Sequence, residues 1–464
     1  MKWLNGSDAV TLYSEMPNAH MHLLAVGVME LDEDCQNFDI EAFRRVIRGR
    51  LYKLEPLCYQ LVNIPFKFHH PMWREHCDVD LTYHIRPWRL PAPGGRRELD
   101  EVIGEIASTP LDRSRPLWEM YFVEGLADNR IAVVTKIHHA LVDGVSLNNL
   151  VAHGMDLQPG PEGGPWMPDP VPTKRQLMRL AFADHLRQAG QIPQTISYTA
   201  QGVARVRRSS RTLATVLRRS FVPPPTFMNH VATSPERRFA STTLVLADVK
   251  QTGKHLGVTI NDLVLAMSTG ALRTLLLRYD GKADPLLATV PVALDLFPDR
   301  ISGNFVDTMS VALPVDLEDP LERIRRCREN AISAKEIQQL RGPELVHRWL
   351  TYTTPVALEV FFRLAFRRKA VSKMPHLMVS NVAISNVPGL AEHGRVGGAL
   401  LTDFYMVGPL AAWSGLLITV SSYVDQLNIS VLTDDGTVKD PHEVTEAMNA
   451  EFIEIRRSPA FLNS

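Results

Sequence analysis

Ile131-Ala132-Val133-Val134-Thr135-Lys136-Ile137, followed by His138-His139-Ala140-Leu141-Val142-Asp143-Gly144, is the stretch that decides how this chain is read. The first seven residues predict a buried strand, and the helical spacing after Gly144 predicts a helix, so the two histidines fall at a strand-to-helix junction. If the strand persists to its end, Ile131, Val133, Thr135, Ile137 and His139 share one face, and Lys136 and His138 share the other. Only one imidazole can then face a given substrate. A neutral imidazole, with a pKa of about 6.5, can take a hydroxyl proton near neutral pH. The neighbouring histidine must pack or hydrogen-bond elsewhere. A metal centre fits less well, because histidines on opposite strand faces cannot both point at one ion and no His-Glu-x-x-His helix or cysteine cluster completes a shell. Asp143 or Ser146 could simply cap the following helix, so these residues alone leave a catalytic site and a structural turn both open.

Composition narrows the classes. A chain of 464 residues with 45% hydrophobic and 22% charged content can bury a sizeable core, and its formal charge of −1 argues against a nucleic-acid partner. Cys35, Cys58, Cys77 and Cys327 are scattered without paired spacing and the start, MKWLNGSD, has no apolar signal core, so a cytoplasmic protein is expected. Phe404 to Val424 carries no Lys, Arg or Glu and no Asp, and is long enough to cross a bilayer at about 1.5 Å per residue. Gly408-Pro409 and Ser414-Gly415 interrupt it, however, and Leu416 to Val424 is β-branched and leads through Asp425-Gln426 into the apolar run Leu427 to Leu432. Two buried strands joined by a short turn are expected there.

Three units are expected: a lobe over residues 1–165 carrying the histidine motif, a basic helical connector over 166–235, and a second lobe over 236–464. The Pro/Gly-rich run Gln158 to Pro172 ends the first. Between Lys174 and Arg219 the connector has ten Lys/Arg against one acid, Asp184, interleaved with Leu177, Leu180, Phe182, Leu213, Val216 and Leu217. That composition suits either a solvated connector or an amphipathic segment lying on anionic lipid, and Phe361 to Lys373 repeats it. In the second lobe, Phe239 to Leu246 reads as a strand, and Asp248 to His255 and Ile260 to Tyr279 as helices. Thr259, Asn261 and Asp262 are rival caps for the last.

The motifs resemble a known family. HHALVDG fits the His-His-x-x-x-Asp-Gly signature of the coenzyme-A-dependent acyltransferases, the superfamily of chloramphenicol acetyltransferase and the peptide-synthetase condensation domains. The rest is similar to the bacterial wax ester synthase/diacylglycerol acyltransferase branch: Pro116-Leu117-Trp118 within Pro110 to Glu119, Glu124-Gly125-Leu126, Asn261-Asp262, Ser385-Asn386-Val387-Pro388-Gly389, Asp8, and Pro17 to His22. One position departs from the pattern, with Asp295 where the branch has arginine after Val290-Pro291-Val292, although Gly303-Asn304 follows in its expected place.

The resemblance implies two chloramphenicol-acetyltransferase-like α/β lobes of mixed sheets flanked by helices, with the site in a tunnel between them. Acyl-CoA would enter as co-substrate from one face and diacylglycerol or a long-chain alcohol from the other, with no bound cofactor and no metal. His139 would be the general base, His138 its support, and Asp143 and Gly144 structural. Asn261 would be the oxyanion donor, with Asp262, Ser385 and Asn386 as further oxyanion or tunnel candidates. The protein would lie in the cytoplasm, peripheral at the inner membrane face or on lipid inclusions. Transfer to another alcohol or amine, or a catalytically silent lipid-surface protein, are the alternatives.

Overall fold

The computed structural model describes residues 1–31, 38–155, 167–209, 224–294, 297–366 and 380–458. The strands are β1 Lys2–Trp3, β2 His22–Glu30, β3 Gln60–Val62, β4 Met72–Arg74, β5 Ile85–Arg89, β6 Trp118–Glu124, β7 Arg130–His138 and β8 Arg237–Val245. They continue with β9 Leu286–Ala293, β10 Val306–Leu313, β11 Val382–Val387, β12 Arg395–Val396, β13 Ala399–Val407, β14 Leu416–Tyr423 and β15 Gln426–Asp434. The first six helices are α1 Gly6–Ser14, α2 Ile40–Arg50, α3 Leu81–His84, α4 Arg96–Ala107, α5 Gly144–His153 and α6 Lys174–Arg208. The others are α7 Leu246–Leu256, α8 Ile260–Tyr279, α9 Pro320–Arg341, α10 Leu345–Tyr352, α11 Pro355–Ala365 and α12 His442–Arg457.

Two six-stranded sheets, in the orders β12-β13-β2-β7-β6-β5 and β10-β9-β11-β14-β15-β8, form the two lobes, with a small β1-β4-β3 sheet beside the first. The motif strand β7 is buried along nearly its whole length. Its Ile131, Val133 and Ile137 pack with Phe43 and Ile47 of α2 and Leu147 and Leu150 of α5. Its Ala132 and Val134 face the other way, joining Leu99 and Ile103 of α4 to Phe239, Leu417 and Leu432 of the second sheet. The alternation read from the sequence therefore separates a face toward the first lobe's interior from a face toward the second lobe. Gly104 makes that junction close, since a Cβ there would stand 2.8 Å from the Arg237 carbonyl oxygen. Asp100 ties it, accepting from the Ser241 N–H at 2.9 Å and the Ser241 hydroxyl at 2.8 Å.

Residues 236–464 supply strands to both sheets. β13 pairs antiparallel with β2, from Leu400 opposite Glu30 to Val407 opposite Leu24. Without it β2 would be an open edge; with it, Leu401, Phe404 and Met406 enter the first core. Phe404 to Val424 is two strand segments and a loop, and Leu416–Tyr423 turns through Val424-Asp425 to pair antiparallel with Gln426–Asp434. Among the described residues one helix, Ile260–Tyr279, is long and apolar enough to cross a membrane, but 72% of its most apolar window is buried. It is the core helix of the second lobe, packed with Val444, Met448 and Phe452 of α12.

The connector is helical from Lys174 to Arg208, capped by Thr173. Of its apolar residues, Leu177 is buried with Ile64, Met72 and Ala181. Leu213, Val216 and Leu217 lie outside the described residues, as do Gln158 to Trp166 of the Pro/Gly run, Arg367 to Lys373, Cys35 and Asp295.

Candidate active site

β7 delivers the motif to a turn held by two segments distant in sequence. The His138 N–H donates to the Leu117 carbonyl at 2.9 Å and the His139 N–H to the Met21 carbonyl at 2.8 Å. Pro116, Leu117 and Trp118 are buried behind the motif, and the Trp118 indole N–H donates to the Leu57 carbonyl at 2.7 Å. Their place is to fix where the strand ends.

The two imidazoles diverge. His138 points inward, its Nδ1 accepting from the Ala140 N–H at 2.9 Å, which puts the ring proton on Nε2, 3.6 Å from the Glu15 carboxylate. His22 Nε2 stands 3.4 Å from the same carboxylate, and Arg113 Nε donates to it at 3.2 Å. Burial works against ionising Glu15, but His138, His22 and Arg113 hold its pKa well below the usual carboxylate range. Burial pushes His22 down to about 3, so it is neutral.

His139 turns the other way. Its Nδ1 lies 3.0 Å from the Val142 carbonyl, which can only accept, so Nδ1 carries the proton and Nε2 presents its lone pair. The Asn304 side-chain amide lies 3.3 Å from the same Nδ1, leaving Nε2 clear of both contacts. Burial lowers the pKa of His139 from its ordinary value. An unprotonated, oriented imidazole of this kind can accept a proton from a hydroxyl.

Asp143 is completely buried and does two jobs. It caps α5, accepting from the Ser146 N–H at 2.9 Å, and it binds the loop at Arg300 to Phe305. There the Arg300 guanidinium donates at 2.8 Å and the Phe305 N–H at 3.0 Å. Burial would raise its pKa, but Arg300 and the two N–H donors outweigh it and hold it low. The Gly303 N–H completes the docking by donating to the Leu141 carbonyl at 2.8 Å. Asp8, buried at the start of α1, accepts from the Asn304 N–H at 2.7 Å, and burial pushes its pKa up to about 8.

Of the other candidates, Gly144 begins α5 where a Cβ would meet Val387 at 3.1 Å, so the Ser385-Asn386-Val387 strand end reaches the motif loop. Asn261 and Asp262 are not brought to it by any hydrogen bond among the described residues. Thr259 is the cap of α8, and Asp262 closes the box by accepting the Thr259 N–H at 2.9 Å. The polar side chain beside His139 is that of Asn304. Glu15, Arg300 and Asn304 had no sequence signal as site residues beyond the Gly303-Asn304 pair.

The first lobe holds an apolar cavity of about 670 Å³ including its open mouth. Val133 and Thr135 of β7 line it with Gly27, Phe43, Leu147 and Phe404 among others, and Thr135 contributes the single polar side chain in the lining. These β7 residues stand on the strand face that ends at His139.

Two lobes with a buried His-His-x-x-x-Asp-Gly turn between them define an acyltransferase of the condensation-domain and chloramphenicol-acetyltransferase type. The wax ester synthase/diacylglycerol acyltransferase catalytic domain matches residues 4–264 and the corresponding C-terminal domain matches 302–456, and the chain belongs to this family. A Mycobacterium tuberculosis H37Rv protein named as a candidate diacylglycerol O-acyltransferase is 68% identical over 458 residues, covering 99% of this chain and 96% of its own. Another of that organism and of similar name is 32% identical over 466 residues, covering 98% and 97%. The solved wax ester synthase/diacylglycerol acyltransferase of Marinobacter aquaeolei VT8 shares the fold at a TM-score of 0.69 and 24% identity, over 98% of this chain and 99% of its own. The first condensation domain of the calcium-dependent antibiotic synthetase shares it at 0.60 and 13%, over 99% and 96%.

Proposed function

We propose that this acyltransferase moves a fatty acyl group from acyl-CoA to the hydroxyl of diacylglycerol or of a long-chain alcohol. His139 Nε2 takes the acceptor's hydroxyl proton as the oxygen attacks the thioester carbonyl. The tetrahedral intermediate then collapses, the C–S bond breaks, and the proton passes to the departing CoA sulfur. No acyl-enzyme is needed. The observation that carries the reading is the apolar cavity on the His139 face of β7. Its lining of apolar side chains from β2, α2, β7, α5 and β13 suits an acyl chain and is poor for a small polar acyl group. The names of the relatives support the acceptor class.

Such substrates are held at lipid surfaces, so a cytoplasmic protein in peripheral contact with membrane or lipid inclusions fits the chemistry. The test is product analysis with radiolabelled palmitoyl-CoA and a panel of diacylglycerol, hexadecanol and small alcohols or amines. Triacylglycerol or wax ester is the expected product. Labelled product from the small acceptors alone would replace this reading with a different acyltransferase, and no product from any would favour a silent protein.

A further inference from the structure

The outward side of α6 carries a second, unburied stripe. The helix buries Leu177, Ala181, Asp184 and Gln188 against the protein, while Phe182 and Leu186 are exposed on the far side and Ile196 and Val203 on its flank. Its one carboxylate, Asp184, faces inward, 3.0 Å from His69 and accepting from Gln188 at 2.8 Å. The exposed side therefore has no acid, and its Arg175, Arg179, Arg207 and Arg208 make no ion pair among the described residues. On a chain with a formal charge of −1, that is a local concentration of unbalanced cations.

Beside this stripe stands Phe66, 93% exposed and held at a φ of 59°, a left-handed conformation unfavourable for a bulky side chain. Its loop is fastened on both sides. The carbonyl of Phe68 lies 2.9 Å from His185 Nε2 of α6, and Lys67 donates at 2.7 Å to Glu359 of α11. The outer face of α11 adds exposed Val356, Val360 and Leu364 beside Arg363. The Phe66 loop thus links the exposed apolar groups of α6 to those of α11.

Resting on the lipid-surface reading above, we propose that this side, the outward stripe of α6 with the Phe66 tip and the outer face of α11, docks on an anionic phospholipid surface. The charge decides the occupant. Two copies of the chain meeting here would bring unpaired arginines together, whereas anionic headgroups supply the missing counter-charge while the aromatic and aliphatic groups enter the acyl boundary.

The test uses the full chain, flotation with vesicles of phosphatidylcholine alone or with a quarter phosphatidylglycerol, and two variants. One combines Arg175→Gln, Arg179→Gln, Arg207→Gln and Arg208→Gln; the other combines Phe66→Ser, Phe182→Ser and Leu186→Ser. Wild type is expected to bind the anionic vesicles, more weakly at high salt. The arginine variant should bind them roughly 1,000-fold less well, and the apolar variant should lose binding while transfer to detergent-dispersed hexadecanol persists in both. Wild-type binding by both variants would overturn the docking face, as would a wild-type dimer in sedimentation that these substitutions split. If the binding pattern holds and wild type transfers nothing to hexadecanol or diacylglycerol, the docking face stands and the proposed reaction fails.

Discussion

Asp143 of the histidine motif and Arg300, 157 residues further along the chain, form an ion pair in which the Asp143 side chain is fully buried and that of Arg300 is 10% exposed. The pair binds the motif turn to the loop that carries Asn304, so His139 and Asn304 are positioned by one contact.

Asp143→Asn should keep the α5 cap, since asparagine caps well, but leave Arg300 without its counter-charge. The expected loss is about 3–5 kcal/mol, the range for removing one partner of a buried pair. Asp143→Asn with Arg300→Met should recover part of it. Urea unfolding of the three proteins measures this, and an Asp143→Asn protein as stable as wild type would reduce Asp143 to a cap.

Asp8 should give stability a falling dependence on pH. Unfolded, its carboxyl ionises near 3.8; folded, it holds its proton to about 8. Between those values the folded state binds more protons, so this contribution to stability declines as pH rises and levels off above about 8. Asp8→Asn keeps an acceptor for the Asn304 N–H and should remove that decline. Melting temperatures of both proteins from pH 4.5 to 8.5 provide the comparison, and parallel curves would contradict the buried, protonated Asp8.

Val133→Phe should narrow the cavity part-way along its length. Transfer from palmitoyl-CoA is expected to fall tenfold or more while octanoyl-CoA is used nearly as before, with an overpacking cost of about 1–3 kcal/mol. An unchanged chain-length profile would place the acyl chain elsewhere.

The strand, the turn and the opposed histidines were legible because apolar alternation in β7 is a local signal that burial enforces. Ile260 to Tyr279 was legible for the same reason. Glu15, Arg300 and Asn304 were not, since an isolated polar residue has no periodicity and its role comes from a fold that brings remote loops together. Three residues at the start of α8 were rival caps by sequence, and in the structure Thr259 and Asp262 take the cap. The return of β13 to the first sheet was also hidden, because Ala399 to Val407 reads as a buried strand whichever sheet it joins.

Because burial lowers the pKa of His139, the acid limb of kcat/KM should lie below pH 6.5. The central claim is tested most directly by CoA release from palmitoyl-CoA with hexadecanol or diacylglycerol, measured across pH for wild type and His139→Ala, with circular dichroism confirming the fold of both. Wild type should turn over with that low acid limb and His139→Ala should fall at least about 100-fold, the lower end of what a positioned base contributes. A folded His139→Ala protein that transfers at the wild-type rate would contradict the account.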